Sequence, residues 1–211
     1  EDPLATYETM TVKVSSVRFR FGAQFFHQFD KSFFVVGATF EPRKALNGTY
    51  THLDVGAGDT IASNAKIESD FPMVWSVGAS YNYGNRFVAG VDYTRYGWGS
   101  ARYYQPNVRL RDRQKMSAGF EYCHNPGGRR YIDNMPWRVG CSLSDSYVPN
   151  VPGWEYTVSI GTGFPLHNVG TVINTSLEYG HRGAVNTLRE NYIRFTINVA
   201  VAENWFFKRR L

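Results

Sequence analysis

The residues of this chain that could do chemistry are few and scattered. Five histidines, His27, His52, His124, His167 and His181, sit mostly where turns or strand ends are expected. None has the short spacing to another ligand that would place two donors on one metal ion. Ser142, Ser144 and Ser146 alternate around Asp145, and with His181 they are the raw material of a Ser-His hydrolase. The Gly-x-Ser-x-Gly turn that lifts a nucleophile out of a sheet is missing, and alternating serines are ordinary for the polar face of a strand. Cys123 and Cys141 fall on opposite faces of their strands, which predicts two free thiols. These residues predict no enzyme activity, no metal site and no cofactor.

Charge excludes a second class. The net charge is +5, from 23 Lys and Arg against 18 Asp and Glu, and the isoelectric point is near 9.2. Nucleic-acid binding needs such charge gathered into a patch or stripe, whereas here it is dispersed through strands and links. The one tight basic cluster, Lys208, Arg209 and Arg210, reads as a solvated tail. No nucleic-acid partner is expected.

The elements that would have to position these side chains are strands. Aromatic residues make up 16% of the chain, yet mean hydropathy is −0.37 and no apolar run reaches the roughly 18 residues of a membrane helix. A barrel wall produces this combination, because apolar lipid-facing residues alternate with polar interior ones. Runs of period-2 alternation bounded by Gly, Pro, Asn and Asp predict nine strands, near 12–28, 32–53, 59–83, 86–98, 110–124, 135–147, 152–165, 170–182 and 190–203. Most match or exceed the roughly 9 to 11 residues that cross a bilayer at a tilt.

The links alternate in length. Phe29-Asp30-Lys31, Gly84-Asn85 and Pro165-Leu166-His167-Asn168 are tight, and 125–135 is somewhat longer; larger links lie around 45–67, 97–109, 146–152 and 183–188. Short periplasmic turns opposed to longer extracellular loops are the asymmetry of outer-membrane barrels. A soluble β-sandwich also alternates, with its apolar face inward. Strand length, loop asymmetry and aromatic residues near strand ends, such as Phe25, Phe26, Phe33, Tyr83, Phe87 and Trp205, favour the barrel. The predicted fold class is all-β, an antiparallel transmembrane β-barrel in one domain over 1–211.

A repeat runs through the strand centres, as in Phe21-Gly22-Ala23-Gln24-Phe25, Val77-Gly78-Ala79-Ser80-Tyr81 and Ala118-Gly119-Phe120-Glu121-Tyr122. Parity puts its apolar and aromatic members on one face and its Gly and polar members on the other. The lumen is then lined by Arg18, Arg20, Gln24, Asp92, Glu121, Arg138, Asn174, Glu178, Arg194 and Asn198. Lipid meets Phe21, Val36, Val91, Val139, Ile160 and Phe195 among others. Acidic and basic interior residues nearly balance, which predicts a cross-linked polar lumen instead of a one-signed ion pore. Gly22, Gly37, Gly78, Gly90, Gly119, Gly140 and Gly161 are expected to form one ring at a common height, with some group filling the lumen against them. Glycine that merely lets the wall bend is the alternative.

The C-terminal third carries Asn174-Thr175-Ser176-Leu177-Glu178-Tyr179-Gly180-His181-Arg182-Gly183 and ends Glu203-Asn204-Trp205-Phe206-Phe207-Lys208-Arg209-Arg210. With Asp70-Phe71-Pro72 before one long strand and 122–131 before another, it resembles the FadL-like outer-membrane transport proteins of Bacteroidetes. That resemblance implies a bacterial outer-membrane location, a fourteen-stranded barrel, hydrophobic cargo such as long-chain fatty acids, and an N-terminal hatch in the lumen. Nine strands are an odd number, so five N-terminal strands and the hatch are expected to be missing from a chain that starts abruptly at Glu1-Asp2-Pro3. Two functions stay open: uptake of a hydrophobic small molecule, or service as a non-transporting barrel subunit in an outer-membrane secretion or assembly machine. The expected partners are outer-membrane lipid with either a hydrophobic ligand or other outer-membrane proteins.

Overall fold

The computed structural model describes residues 7–56, 59–103, 109–146, 153–166, 171–183 and 189–201. His167, the aromatic and basic ending 205–210 and most of the link at 146–152 lie outside them. The strands are β1 (Tyr7–Ser15), β2 (Phe21–Gln28), β3 (Ser32–Glu41), β4 (Lys44–Gly56), β5 (Asp59–Phe71), β6 (Val74–Tyr83), β7 (Phe87–Tyr96), β8 (Arg113–Cys123), β9 (Pro136–Asp145), β10 (Trp154–Pro165), β11 (Val172–Gly183) and β12 (Arg189–Ala200). Two one-turn 3₁₀ segments, Trp98–Ser100 and Tyr131–Asn134, interrupt the strands. The fold is all-β and antiparallel, with the architecture of an outer-membrane β-barrel wall.

Nine strands form one sheet in the order β12-β11-β10-β9-β8-β7-β6-β3-β2, and β1, β4 and β5 form a second, three-stranded sheet. The nine predicted strands are all present, but the first three are each broken in two. The break between β3 and β4 is Pro42-Arg43, and that between β5 and β6 is Met73 with Pro72. Glu41 still pairs with Val74 on one side of the gap, and Lys44 with Phe71 on the other. Proline has no N–H to give the ladder, so two prolines at one level cut the wall sheet from the hairpin beyond it. Part of the first predicted long link, 45–67, is therefore corrected: it is a ladder, running from Lys44↔Phe71 to Gly56↔Asp59.

Turn chemistry fixes the opposite end. Gly84 and Asn85 both take positive φ, 57° and 53°, and Arg86 N donates to the Tyr83 carbonyl at 3.0 Å. Two left-handed residues in a two-residue link match the twist of the flanking strands. The β2–β3 turn closes with Phe29 N on the Ser32 carbonyl at 2.7 Å. Between β8 and β9, Asn134 bridges the loop, accepting from Gly127 N at 2.7 Å and donating to the Gly128 carbonyl at 2.7 Å.

Among the described residues almost nothing apolar is buried. Val74, Cys123 and Met135 are the only buried hydrophobic residues among those described, while Phe21, Phe25, Val91, Val139, Ile160, Ile193 and Phe195 are exposed. A soluble sandwich inverts that pattern. A single sheet whose apolar face has no protein cover is what a wall facing lipid looks like.

Candidate functional site

Register defines the two faces strand by strand. One transverse row on the polar face reads Gln24–Gly37–Gly78–Asp92–Ser117–Ser142–Thr157–Gly180–Tyr192, each paired with the next. One residue along, the apolar face reads Phe25–Val36–Ala79–Val91–Ala118–Cys141–Val158–Tyr179–Ile193. The residues expected to line a lumen that lie in these strands therefore share the polar face; Arg18 and Arg20 precede β2 and have no place on the register.

They gather into separate groups. Arg18 and Arg20, in the stretch between β1 and β2, both reach the buried carboxylate of Glu41. Glu121 pairs with Arg138, its opposite number on β9, and Arg138 Nη1 donates to Asn174 Oδ1 at 2.6 Å. Asn174 stands opposite Asn198, so these four span β8 to β12. Glu178 pairs with Arg194 at 3.6 Å. Gln24 and Asp92 share the row above, and the Asp92 carboxylate makes no ion pair and no side-chain hydrogen bond among the described residues.

Four further members, Glu155, Arg113, Arg182 and Glu41, were not singled out in the sequence. Glu155 holds Arg113 at 2.6 Å and Arg182 at 3.9 Å, and Arg113 also donates to Ser144 Oγ at 3.0 Å. The parity that selects Glu178 also selects Glu155, so the signal was present. Glu41 beside Pro42 is less visible, because its partners lie in a stretch without strand structure.

The glycines do not occupy one hydrogen-bonded row. Gly22 lies one step from the Asp92 row toward the long-link end; Gly37 and Gly78 lie in it. Gly90, Gly119 and Gly140 lie one step toward the short turns, and Gly161 one step further. Their surroundings also differ. A Cβ on Gly22, Gly37, Gly90 or Gly119 would find nothing nearer than 3.6 Å, whereas one on Gly78 would collide with Asp92 Oδ1 and one on Gly140 would lie 3.0 Å from Ser159 Oγ.

The hydrolase set does not assemble. Ser142 Oγ shares a 2.8 Å hydrogen bond with Thr157 Oγ1 on the polar face. His181 stands opposite Tyr156 on the other face, with Nδ1 2.6 Å from Asn191 Oδ1. Both cysteines are free, Cys123 buried and Cys141 exposed.

Two other features complete the surface. The apolar face carries a depression of about 640 Å³, floored by Ala79, Ala118 and Cys141 and rimmed by Tyr93, Met116, Leu143 and Tyr156. At the long-link end, buried Asp70 clamps the loop after β7. It accepts from Arg102 Nε and Nη2, both at 3.1 Å, and from Arg102 N at 3.3 Å. Asp70 N and Ser69 Oγ donate back to the Arg102 carbonyl at 2.9 and 3.1 Å. The Arg102 guanidinium holds the Asp70 carboxyl below its ordinary value of 3.8, against the opposing effect of burial.

No curated protein matches this chain. Among solved structures it is similar to the toluene transporter TodX of P. putida, with 17% sequence identity and a TM-score of 0.51. The likeness covers 91% of this chain and 51% of that one, so this chain spans about half the length of the structure it matches. The expectation of a FadL-like barrel holds at the level of the fold. The family model that matches is a different one, BamG, aligned over residues 2–211, and the chain therefore belongs to the BamG family.

Proposed function

We propose that this chain forms the wall of a bacterial outer-membrane β-barrel that works as a subunit in the assembly of outer-membrane proteins. Its apolar face meets outer-membrane lipid and its polar face lines the lumen. The carrying observation is the strapping of that polar face by Glu121–Arg138, Glu178–Arg194 and the Glu155 pairs with Arg113 and Arg182. A hydrophobic cargo passing between these groups would strip water from charges and return nothing for it. The pairs tie β8 to β9, β10 to β11 and β11 to β12, and Glu155 with Arg113 reaches across β9, which suits a rigid structural wall. Membership of the BamG family, whose name points to barrel assembly, supports the same reading.

The lumen reading also accounts for the stepped glycines. Strands in a barrel tilt, so a belt at constant height must shift register from strand to strand, and these glycines shift in one direction from β2 to β10. The nine wall strands alternate in direction, so edge strands β2 and β12 run the same way. Five further strands, making fourteen, would close the sheet with antiparallel pairs throughout and leave no edge in lipid.

Depletion in the native bacterium tests the function. The levels of other outer-membrane β-barrels should fall, while uptake of hydrophobic compounds stays level per surviving transporter; unchanged barrel levels would refute the assembly role. A second reading, uptake of a hydrophobic small molecule, draws on the depression in the apolar face and on the similarity to a toluene transporter. It requires that a lipophilic compound protect Cys141, on the floor of that depression, from a lipid-soluble thiol reagent.

A further inference from the structure

The polar face is divided. On β8 to β12 the carboxylates Glu121, Glu155 and Glu178 are each matched by an arginine, and Glu190, at the rim of the same face, stands opposite Arg182 on the register without an ion pair among the described residues. On β2, β3, β6 and β7, below the Glu41 cluster, the polar face presents Gly, Gln, Ser, Thr, Asn and a few apolar residues, and a single charge, Asp92. The nearest cation on the register, Lys115 of β8, stands two residues out of line and makes no ion pair with it. Asp92 instead lies across Gly78, at the edge of a trough of about 490 Å³ that runs over these four strands.

The floor of the trough is bare backbone. At Gly22, Gly37 and Gly90 an added Cβ would meet only ordinary contacts, so the absent side chains leave open space that neighbours do not fill. Glycine in a strand interior sacrifices packing, and open glycines side by side admit another backbone to close range. Gln24 and Thr39 stand along the trough and offer both donors and acceptors. Four strands at about 4.8 Å spacing give a length of about 14 Å, which an extended segment of about four residues spans.

We propose that this trough seats an extended segment of a second polypeptide, which lies across β2, β3, β6 and β7 and sets a lysine or arginine against Asp92. The inference rests on the reading that the polar face lines the lumen. It accounts for a carboxylate that, among the described residues, has no partner at the centre of these four strands, and for the open glycines beside it.

Photo-crosslinking in cells tests it, with p-benzoylphenylalanine placed at Thr39 inside the trough and at Thr157 as a polar-face control outside it. Irradiation at position 39 should give adducts with one second polypeptide, mapping by mass spectrometry to a stretch containing Lys or Arg. The yield should fall about tenfold in Asp92→Asn and in Asp92→Lys, and persist in Asp92→Glu. Position 157 should give no such adduct. Absence of adduct at 39, adducts with lipid or within this chain, or a yield indifferent to Asp92→Asn would each overturn the inference. A membrane-impermeant maleimide on Thr39→Cys separates the two ways of failing. A reactive cysteine without adducts removes this inference alone; a cysteine unreactive in both the native and the Asp92→Asn background removes the lumen reading with it.

Discussion

Asn in place of Asp70 should free the loop that follows β7 without disturbing the wall. Asp70 is 2% exposed and takes two guanidinium hydrogen bonds and one backbone hydrogen bond from Arg102, with Arg43 Nε a further 3.8 Å away. Asn keeps the shape and one acceptor but removes the charge. Hydrogen bonds to a charged group contribute about 1.5 to 3 kcal/mol, and the Arg102 side chain is 56% exposed, so screening reduces the loss to about 1 to 2 kcal/mol. That corresponds to about five-fold to thirty-fold more frequent local opening. Amide hydrogen exchange in detergent micelles reads it: the amides of Asp70 and Arg102 should exchange faster by that factor, with the Val91 amide in the wall unchanged. The pH dependence has a definite sign. Because the folded carboxyl is held below 3.8 by the Arg102 hydrogen bonds, its contribution is complete above that value and is lost as pH falls through the lowered one. Native protein should therefore hold its protection at neutral pH and approach the variant only in strong acid, after correction for intrinsic exchange. Equal exchange in the two proteins at pH 7, or native protection lost on raising the pH, would refute the reasoning.

Three further outcomes follow from the same geometry. Gly78→Ala should displace the Asp92 carboxylate and lower the thermal midpoint in detergent, whereas Gly119→Ala, whose Cβ would find nothing closer than 3.8 Å, should leave it unchanged; equal effects would contradict the difference in their surroundings. A double-mutant cycle on Glu121→Ala and Arg138→Ala should give a coupling of up to about 1 kcal/mol by urea unfolding from bilayers, as for an opposite-charge cross-strand pair, and zero coupling would mean that the pair does not strap β8 to β9. Val91→Arg should cost about 2 to 4 kcal/mol of stability in a bilayer, and Ser117→Arg, one strand over on the opposite face, far less. The reverse order would exchange the two faces.

How much of this the sequence carried depends on the range of the interaction. Facing was legible because side-chain parity is local: the alternation from Arg138 to Leu143 assigns each residue without knowledge of its neighbours on β8 or β10. The tight turn at Gly84-Asn85 was legible for the same reason, since positive φ is a property of those two residues. The proline pair was visible but its effect was not. Pro42 and Pro72 divide the wall from the hairpin only because register sets them at one level, 30 residues apart in sequence. The clamp of Asp70 on Arg102 and the grip of Glu41 on Arg18 and Arg20 are likewise contacts between separate segments. Pairing also explains why the glycines step instead of sharing a row: a repeat at each strand's centre does not give equal register once neighbouring strands are staggered.

Native mass spectrometry of the protein released from the outer membrane in a gentle detergent tests the central claim most directly. A subunit of an assembly machine should fly with stoichiometric partner chains, and those complexes should survive delipidation. A single chain carrying a bound lipophilic compound and no protein partner would contradict the account and return this barrel to the transporters whose fold it shares.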